Sequence, residues 1–157
     1  MIDMNTGIED AGQTTQLSPR MRRRAVIDAY VLRFREVDWA YWGTFNLRPR
    51  MHRKAAVRHF EEWVRQIAQR ENAEIHWLRI GERGPEQNLY HYHVLISKFT
   101  KTTVYEAQQL WFGLAGELHL SSYKRDRRAL EYSLKSLEDT DDPDIEWHLP
   151  DNPRARI

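Results

Sequence analysis

Two histidines flank a single tyrosine in His91-Tyr92-His93, within a segment of β-favouring residues that predicts a strand over residues 89–97. Because side chains alternate between the two faces of a strand, both imidazoles point to one face and Tyr92 to the other. Two nitrogens that converge in this way can bind a metal ion. A pair of half-exposed strand histidines without a ligand fits the same pattern, so the motif alone leaves both interpretations open.

Glu82 favours the metal interpretation. Residues 74–80 alternate as a second strand, and the turn-forming sequence GERGPEQN joins it to residues 89–97 as a hairpin. Glu82 lies at the end of the first strand and would meet the histidines across this hairpin as an oxygen ligand. Two imidazoles and one carboxylate leave positions open for phosphate oxygens and water, which suits Mn²⁺ or Mg²⁺, and the imidazoles favour Mn²⁺. Zinc remains an alternative.

Tyr132 and Lys135 form the only Tyr-x-x-Lys pattern in the chain. Residues 126–137 are predicted to be helical, and a spacing of three puts the phenol and the ammonium on one helical face. A phenol with a pKa near 10 is a poor nucleophile at neutral pH unless a cation, a metal or a base favours the phenolate. Lys135 is a candidate for that cation. A tyrosine that merely packs beside a helix is the alternative.

Helices and strands are interspersed along the rest of the chain. Ser18-Pro19 predicts the start of a first helix, residues 39–47 a core strand, residues 52–72 an amphipathic helix, residues 103–111 a short helix, and residues 117–122 a further strand. This order predicts an α+β fold with a central, largely antiparallel sheet of about five strands and helices chiefly on one face. We expect a flexible tail at residues 1–18, one domain at 19–137 and a weakly structured acidic tail at 138–157.

Composition and charge limit the classes of protein to consider. The 157 residues are 41% hydrophobic and 30% charged, with no cysteine, which predicts one soluble domain without disulfides or thiolate metal sites. We find no membrane span or signal peptide and expect a cytoplasmic protein with no membrane partner. Residues 19–135 hold 22 Lys and Arg against 13 Asp and Glu, which suits a polyanionic partner such as nucleic acid. A solvated basic face is the alternative.

Three segments, in this order, resemble the motifs of the HUH endonucleases, and especially of rolling-circle replication initiators (Rep type) with a single catalytic tyrosine. WGTFNL resembles the first motif, GERGPEQNLYHYHVLI the metal motif, and EYSLK the tyrosine motif. Tyr92 departs from the family's usual aliphatic residue, and WGTFN only approximates its motif. The resemblance implies a sheet flanked by helices, like a ferredoxin or RRM core, with Glu82, His91 and His93 as metal ligands. It implies that Tyr132 becomes linked to a DNA 5′ phosphate and leaves a free 3′ hydroxyl.

The resemblance therefore implies an enzyme that nicks and rejoins single-stranded DNA, or an origin hairpin, at a specific site. This reaction would start replication of a plasmid or virus in a bacterial or archaeal cell. A host helicase would unwind the DNA, because the chain has no Walker motif. A host polymerase would extend the free 3′ hydroxyl. A Trp42 ring could stack on bases. Candidate DNA-binding residues are Trp42, Asn46, Arg48, Arg50, Arg53, Lys54, Lys124, Arg125, Arg127 and Arg128. The acidic tail could fold over this basic surface or remain solvated.

Three other functions remain open. A single-tyrosine transposase or a relaxase would use the same chemistry. A non-catalytic nucleic-acid-binding α/β domain would use its sheet and aromatic side chains without a metal. A metal-dependent hydrolase would attack the phosphodiester with water, form no covalent adduct and keep its activity without Tyr132.

Overall fold

Five antiparallel strands form the centre of the structure. The computed structural model describes residues 16–84, 89–125, 128–140 and 142–150. The strands are β1 (Trp39–Asn46), β2 (Trp77–Arg83), β3 (Tyr90–Ser97), β4 (Leu118–Ser122) and β5 (Asp144–His148), in the spatial order β4-β1-β3-β2-β5. Every neighbouring pair is antiparallel. The predicted α+β fold class, an antiparallel sheet flanked by helices, is therefore confirmed.

Four α-helices accompany the sheet, and local sequence signals define their ends. They are α1 (Pro19–Phe34), α2 (Arg53–Glu71), α3 (Val104–Leu114) and α4 (Arg128–Lys135), with a 3-10 turn at Ser136–Asp139. The Ser18 hydroxyl caps α1 ahead of Pro19, and Thr103 forms a reciprocal capping box with Glu106 at α3. Among the described helices, none combines the length and apolar character needed to cross a membrane.

The helices cover both faces of the sheet, and the expectation that they lie chiefly on one face was wrong. On one face α2 and α3 pack against Phe45 and Val94, whereas on the other α1 and α4 pack against Ile80 and Leu95. The reason is visible in β3, where the consecutive residues 94–96 are all fully or almost fully buried. A run of apolar residues, in place of strict alternation, is typical of a strand that is covered on both faces.

The acidic segment 138–157 was predicted to be a weakly structured tail, and this prediction was wrong for its described part. Residues 144–148 form β5, which pairs with β2 at the edge of the sheet. The Trp147 ring contacts Tyr30 and Phe34 of α1 at centroid distances of 5.8 and 5.4 Å. These aromatic contacts outweigh the acidic composition that suggested disorder, and the folded domain extends beyond residue 137. Residues 1–15 of the predicted N-terminal tail lie outside the described part of the chain.

Glu71, the last residue of α2, joins that helix to the loop before α3. Its buried carboxylate accepts hydrogen bonds from the backbone N–H groups of Thr100, Lys101 and Thr102 at 2.7 to 3.0 Å. Burial opposes ionisation of the carboxyl, but the three N–H donors outweigh it and lower the pKa of Glu71 to about 2.

We expect Glu71→Gln to lower the free energy of unfolding at pH 7 by about 3 kcal/mol, because an amide cannot accept all three bonds. The pKa of Glu71 is lower in the folded than in the unfolded chain. Its stabilisation is therefore present above the unfolded value of 4.5 and is lost as the pH falls towards about 2. Urea unfolding at pH values between 7 and 3 measures the free energy of unfolding of each variant and its dependence on pH. Glu61→Gln is the control, because Glu61 is exposed on α2. Equal losses of unfolding free energy in the two variants would contradict the role assigned to Glu71.

Candidate metal and nucleophile site

Pairing of β2 with β3 brings together the three predicted metal ligands. Glu82 lies directly opposite His91 and Ile80 opposite His93, so Glu82 and both histidines share one face of the sheet. Glu82 Oε2 is 3.1 Å from His93 Nε2 and 3.8 Å from His91 Nε2, and the two imidazole Nε2 atoms are 3.2 Å apart. The expectation that Glu82 meets the histidines across the hairpin is confirmed.

The triangle formed by these three atoms has the dimensions of one face of a metal coordination shell. An ion about 2.1 Å from each ligand requires ligand separations of about 3.0 Å in an octahedral site and about 3.4 Å in a tetrahedral one. The observed separations are 3.1, 3.2 and 3.8 Å, within about 0.4 Å of the tetrahedral value, and the two shorter ones are also close to the octahedral value. The donor set therefore fits a divalent ion with open coordination positions, and Mn²⁺, Mg²⁺ and Zn²⁺ all satisfy its geometry.

The surroundings of His93 favour the form of its imidazole that can bind a metal. Its side chain is 7% exposed, and the Trp42 ring lies parallel to it at a centroid distance of 6.0 Å. Burial lowers the pKa of His93, and the neighbouring His91 lowers it further, against the opposing effect of Glu82. A lowered pKa favours the neutral imidazole, which is the form that binds a cation.

Tyr132 lies beside this triad. The ring of Tyr132 meets the ring of His93 edge to face at a centroid distance of 5.7 Å, and that of Trp42 at 6.4 Å. Tyr132 is nevertheless 61% exposed, so its phenol is open to a large substrate. An exposed phenol beside candidate metal ligands could serve as a nucleophile.

Burial of one side of α4 sets the position of Tyr132. Leu130 and Leu134 are buried against the sheet, which leaves Tyr132 on the open side of this short helix. Trp42 Nε1 donates a hydrogen bond of 3.1 Å to Ser133 Oγ, and this bond ties α4 to β1. Lys135, the predicted partner of Tyr132, is exposed in the last turn of the helix.

A cavity of about 660 Å³ reaches the triad through Glu82. Arginines and carboxylates both line it, namely Arg48, Arg50, Arg53 and Arg83, and Asp139, Asp142 and Asp144. Arg53 pairs with Asp144 at 3.3 Å and with Asp142 at 4.0 Å. Acidic residues of the segment after α4 therefore share a cavity with three of the predicted DNA-binding arginines, as expected if that segment covers the basic surface.

The other predicted DNA-binding residues lie at several places. Asn46 is opposite His91 in the pairing of β1 with β3, and Lys54 is exposed in the first turn of α2. Lys124 and Arg125 are exposed after β4, where Arg125 pairs with Asp38 at 3.0 Å. Trp42 contacts His93 and Ser133, so in this structure its ring helps to form the site itself. Arg127 and the side chain of Arg128 lie outside the described residues.

Sequence reasoning missed two residues that support the site. Thr44 lies opposite His93 across β1 and β3, with its Oγ1 3.5 Å from His93 Nδ1, where it can help to orient the ring. Ser133 is 1% exposed and receives the Trp42 hydrogen bond. The presence of Thr44 in a core strand was predictable, but its partner was not, because strand order is not encoded in local pattern.

Scans of the chain against protein-family models, curated proteins and solved structures found no match. The likeness to HUH endonucleases therefore depends on the three short sequence motifs. Membership of that family remains a prediction.

Proposed function

We propose that this chain is a metal-dependent DNA endonuclease and strand transferase, which nicks and rejoins single-stranded DNA through Tyr132. One observation carries the proposal: an exposed tyrosine on α4 lies 5.7 Å, ring to ring, from a buried histidine of a His-His-Glu triad on β2 and β3. Residues 82, 91, 93 and 132 come from three elements.

The reaction is an exchange of one phosphodiester for another. The Tyr132 Oη attacks the scissile phosphorus in line, and its proton is lost as the Oη–P bond forms. The bond from phosphorus to the 3′ oxygen breaks, and that oxygen takes up a proton as a free hydroxyl. A divalent ion bound by Glu82, His91 and His93 would supply polarisation of a nonbridging phosphate oxygen. Rejoining is the reverse reaction, with a 3′ hydroxyl attacking the phosphotyrosine.

Arginines in the cavity beside the triad could bind a DNA strand that displaces the acidic side chains there. Arg48, Arg50 and Arg53 line this cavity and are candidates for contacts with phosphates. A DNA phosphate would compete with Asp142 and Asp144 for the Arg53 guanidinium. Bases that leave the stack could rest on exposed aromatic surface near Tyr132. The biological role that fits this reaction best is initiation of rolling-circle replication on a plasmid or viral origin.

The proposal predicts a covalent adduct that carries only one end of the cleaved strand. We would incubate the full chain and Mn²⁺ with a library of single strands and hairpins that have a random central region and different fluorophores at the two ends. Tyrosine attack on a 5′ phosphate puts the 3′-end label on the protein in a denaturing gel. The released fragment carries the 5′-end label and a 3′ hydroxyl that a polymerase can extend. EDTA should abolish both products.

Each competing function gives a different result in this experiment. Cleavage without a protein-linked label indicates attack by water, and retention of the library without cleavage indicates a binding domain. An adduct that carries the 5′-end label would contradict the assigned polarity.

A further inference from the structure

A second group of metal-ligand side chains lies at the opposite end of β2. Glu74, His76 and His148 place one ligand atom each within 4.8 Å of one another. His148 Nε2 is already in contact with Glu74 Oε1, and the rings of His76 and His148 are 5.8 Å apart between centroids. The group combines residues that are more than 70 positions apart in the sequence, so no local motif reveals it.

Backbone pairing fixes two of these three residues. The His76 N–H donates to Ser97 Oγ at 2.9 Å, and the His76 carbonyl accepts from the Ser97 N–H at 2.9 Å. His148 is the last residue of β5 and lies opposite Trp77 in the sheet. His76 is 3% exposed, whereas the side chains of Glu74 and His148 are 61% and 48% exposed. One imidazole is therefore held rigidly, and two ligands have room to rotate towards it.

We propose that Glu74, His76 and His148 bind a zinc ion that fastens the C-terminal end of β5 to the start of β2. Two imidazole nitrogens and one carboxylate oxygen are a common three-ligand set for Zn²⁺, with water as the fourth ligand. Zinc at about 2.1 Å from each ligand requires ligand separations of about 3.4 Å. The three ligand atoms already lie within 4.8 Å of one another, and the exposed Glu74 and His148 side chains have room to adjust. Imidazole ligands favour Zn²⁺ over Mn²⁺ and Mg²⁺.

This site is separate from the Glu82, His91 and His93 triad. Glu82 follows His76 by six residue steps of extended chain, a distance of about 20 Å along β2. One ion cannot serve both groups. Among the described residues, the second site has no tyrosine beside it that is comparable to Tyr132. In the described sheet, β5 is an edge strand with β2 as its neighbour. This position gives the second site a structural role.

Counting zinc ions per chain tests the proposal. Tag-free full-length protein is dialysed against Zn²⁺ and its metal content is measured by mass spectrometry. We expect two ions in the unaltered chain, one from each group, and one ion after His148→Gln. His119→Gln is the matched control, because His119 is also exposed near a sheet edge on β4, and it should retain two. A zinc content that does not fall after His148→Gln, whether the unaltered chain holds one ion or two, would overturn the proposal.

Thermal unfolding provides a second, independent readout. It uses the His91→Gln variant, in which the Glu82, His91 and His93 triad binds metal more weakly. Zinc at 100 times its Kd should raise the Tm of this variant by about 5 °C, and adding either Glu74→Gln or His148→Gln should remove the shift. Glu74 is an exposed loop residue, so its substitution keeps the test valid if His148→Gln lowers the Tm of the metal-free chain. An unchanged zinc-dependent shift in both double variants contradicts the site.

Discussion

Replacing Tyr132 with Phe should abolish the covalent protein–DNA adduct and lower strand cleavage by at least about 1,000-fold, because the variant lacks the attacking oxygen. The substitution removes one exposed atom and keeps the ring that contacts His93 and Trp42. Stability and metal binding should therefore stay as they are. The measurement is the yield of protein-linked label on a denaturing gel, with the Tm and the Mn²⁺ affinity of the same preparation as checks on the fold and the triad.

Tyr105→Phe is the matched control for this experiment. Tyr105 is 68% exposed on α3, on the opposite face of the sheet from α4, and its substitution should leave the adduct yield unchanged. An adduct that persists in Tyr132→Phe would assign the nucleophile to another residue. Cleavage that persists without any adduct, in the variant and in the unaltered chain, would favour water as the nucleophile and remove Tyr132 from the chemistry.

The hairpin was the most predictable part of the candidate site. His91 and His93 share a face because strand side chains alternate, and this follows from sequence spacing alone. Glu82 lies opposite His91 because a connection of only six residues between the two strands restricts how they can pair. In both cases the contacting residues are close in the sequence, so local physical chemistry determines their geometry.

Contacts between distant segments were not predictable from local pattern. The contact of Tyr132 with His93 depends on how α4 packs against the sheet, through Leu130, Leu134 and the Trp42 bond to Ser133. Strand β5 was missed because its acidic, proline-flanked sequence resembles a disordered tail, and its place in the sheet depends on Trp147 packing against α1. Such packing combines residues more than 30 positions apart, which periodicity cannot detect.

Replacing His91 with Gln should weaken Mn²⁺ binding at the triad by at least about 100-fold and lower adduct formation in parallel, because one of three ligands is lost. His91 is the more informative histidine to change. Its side chain is 19% exposed, whereas His93 is 7% exposed and packs against Trp42 and Tyr132. His93→Gln would combine loss of a ligand with loss of packing, and its effect on activity would be harder to assign.

Titration of Mn²⁺ by calorimetry and adduct yield across a range of Mn²⁺ concentrations measure the two effects of His91→Gln, and His119→Gln provides the control. If His91 acts through the metal, excess Mn²⁺ should restore part of the adduct yield, because a two-ligand site still binds weakly. The same excess should restore nothing in Tyr132→Phe, whose defect lies in the nucleophile. This contrast separates the two roles within one site. Equal adduct yield in His91→Gln and the unaltered chain at limiting Mn²⁺ would rule out the triad as the reaction's metal site.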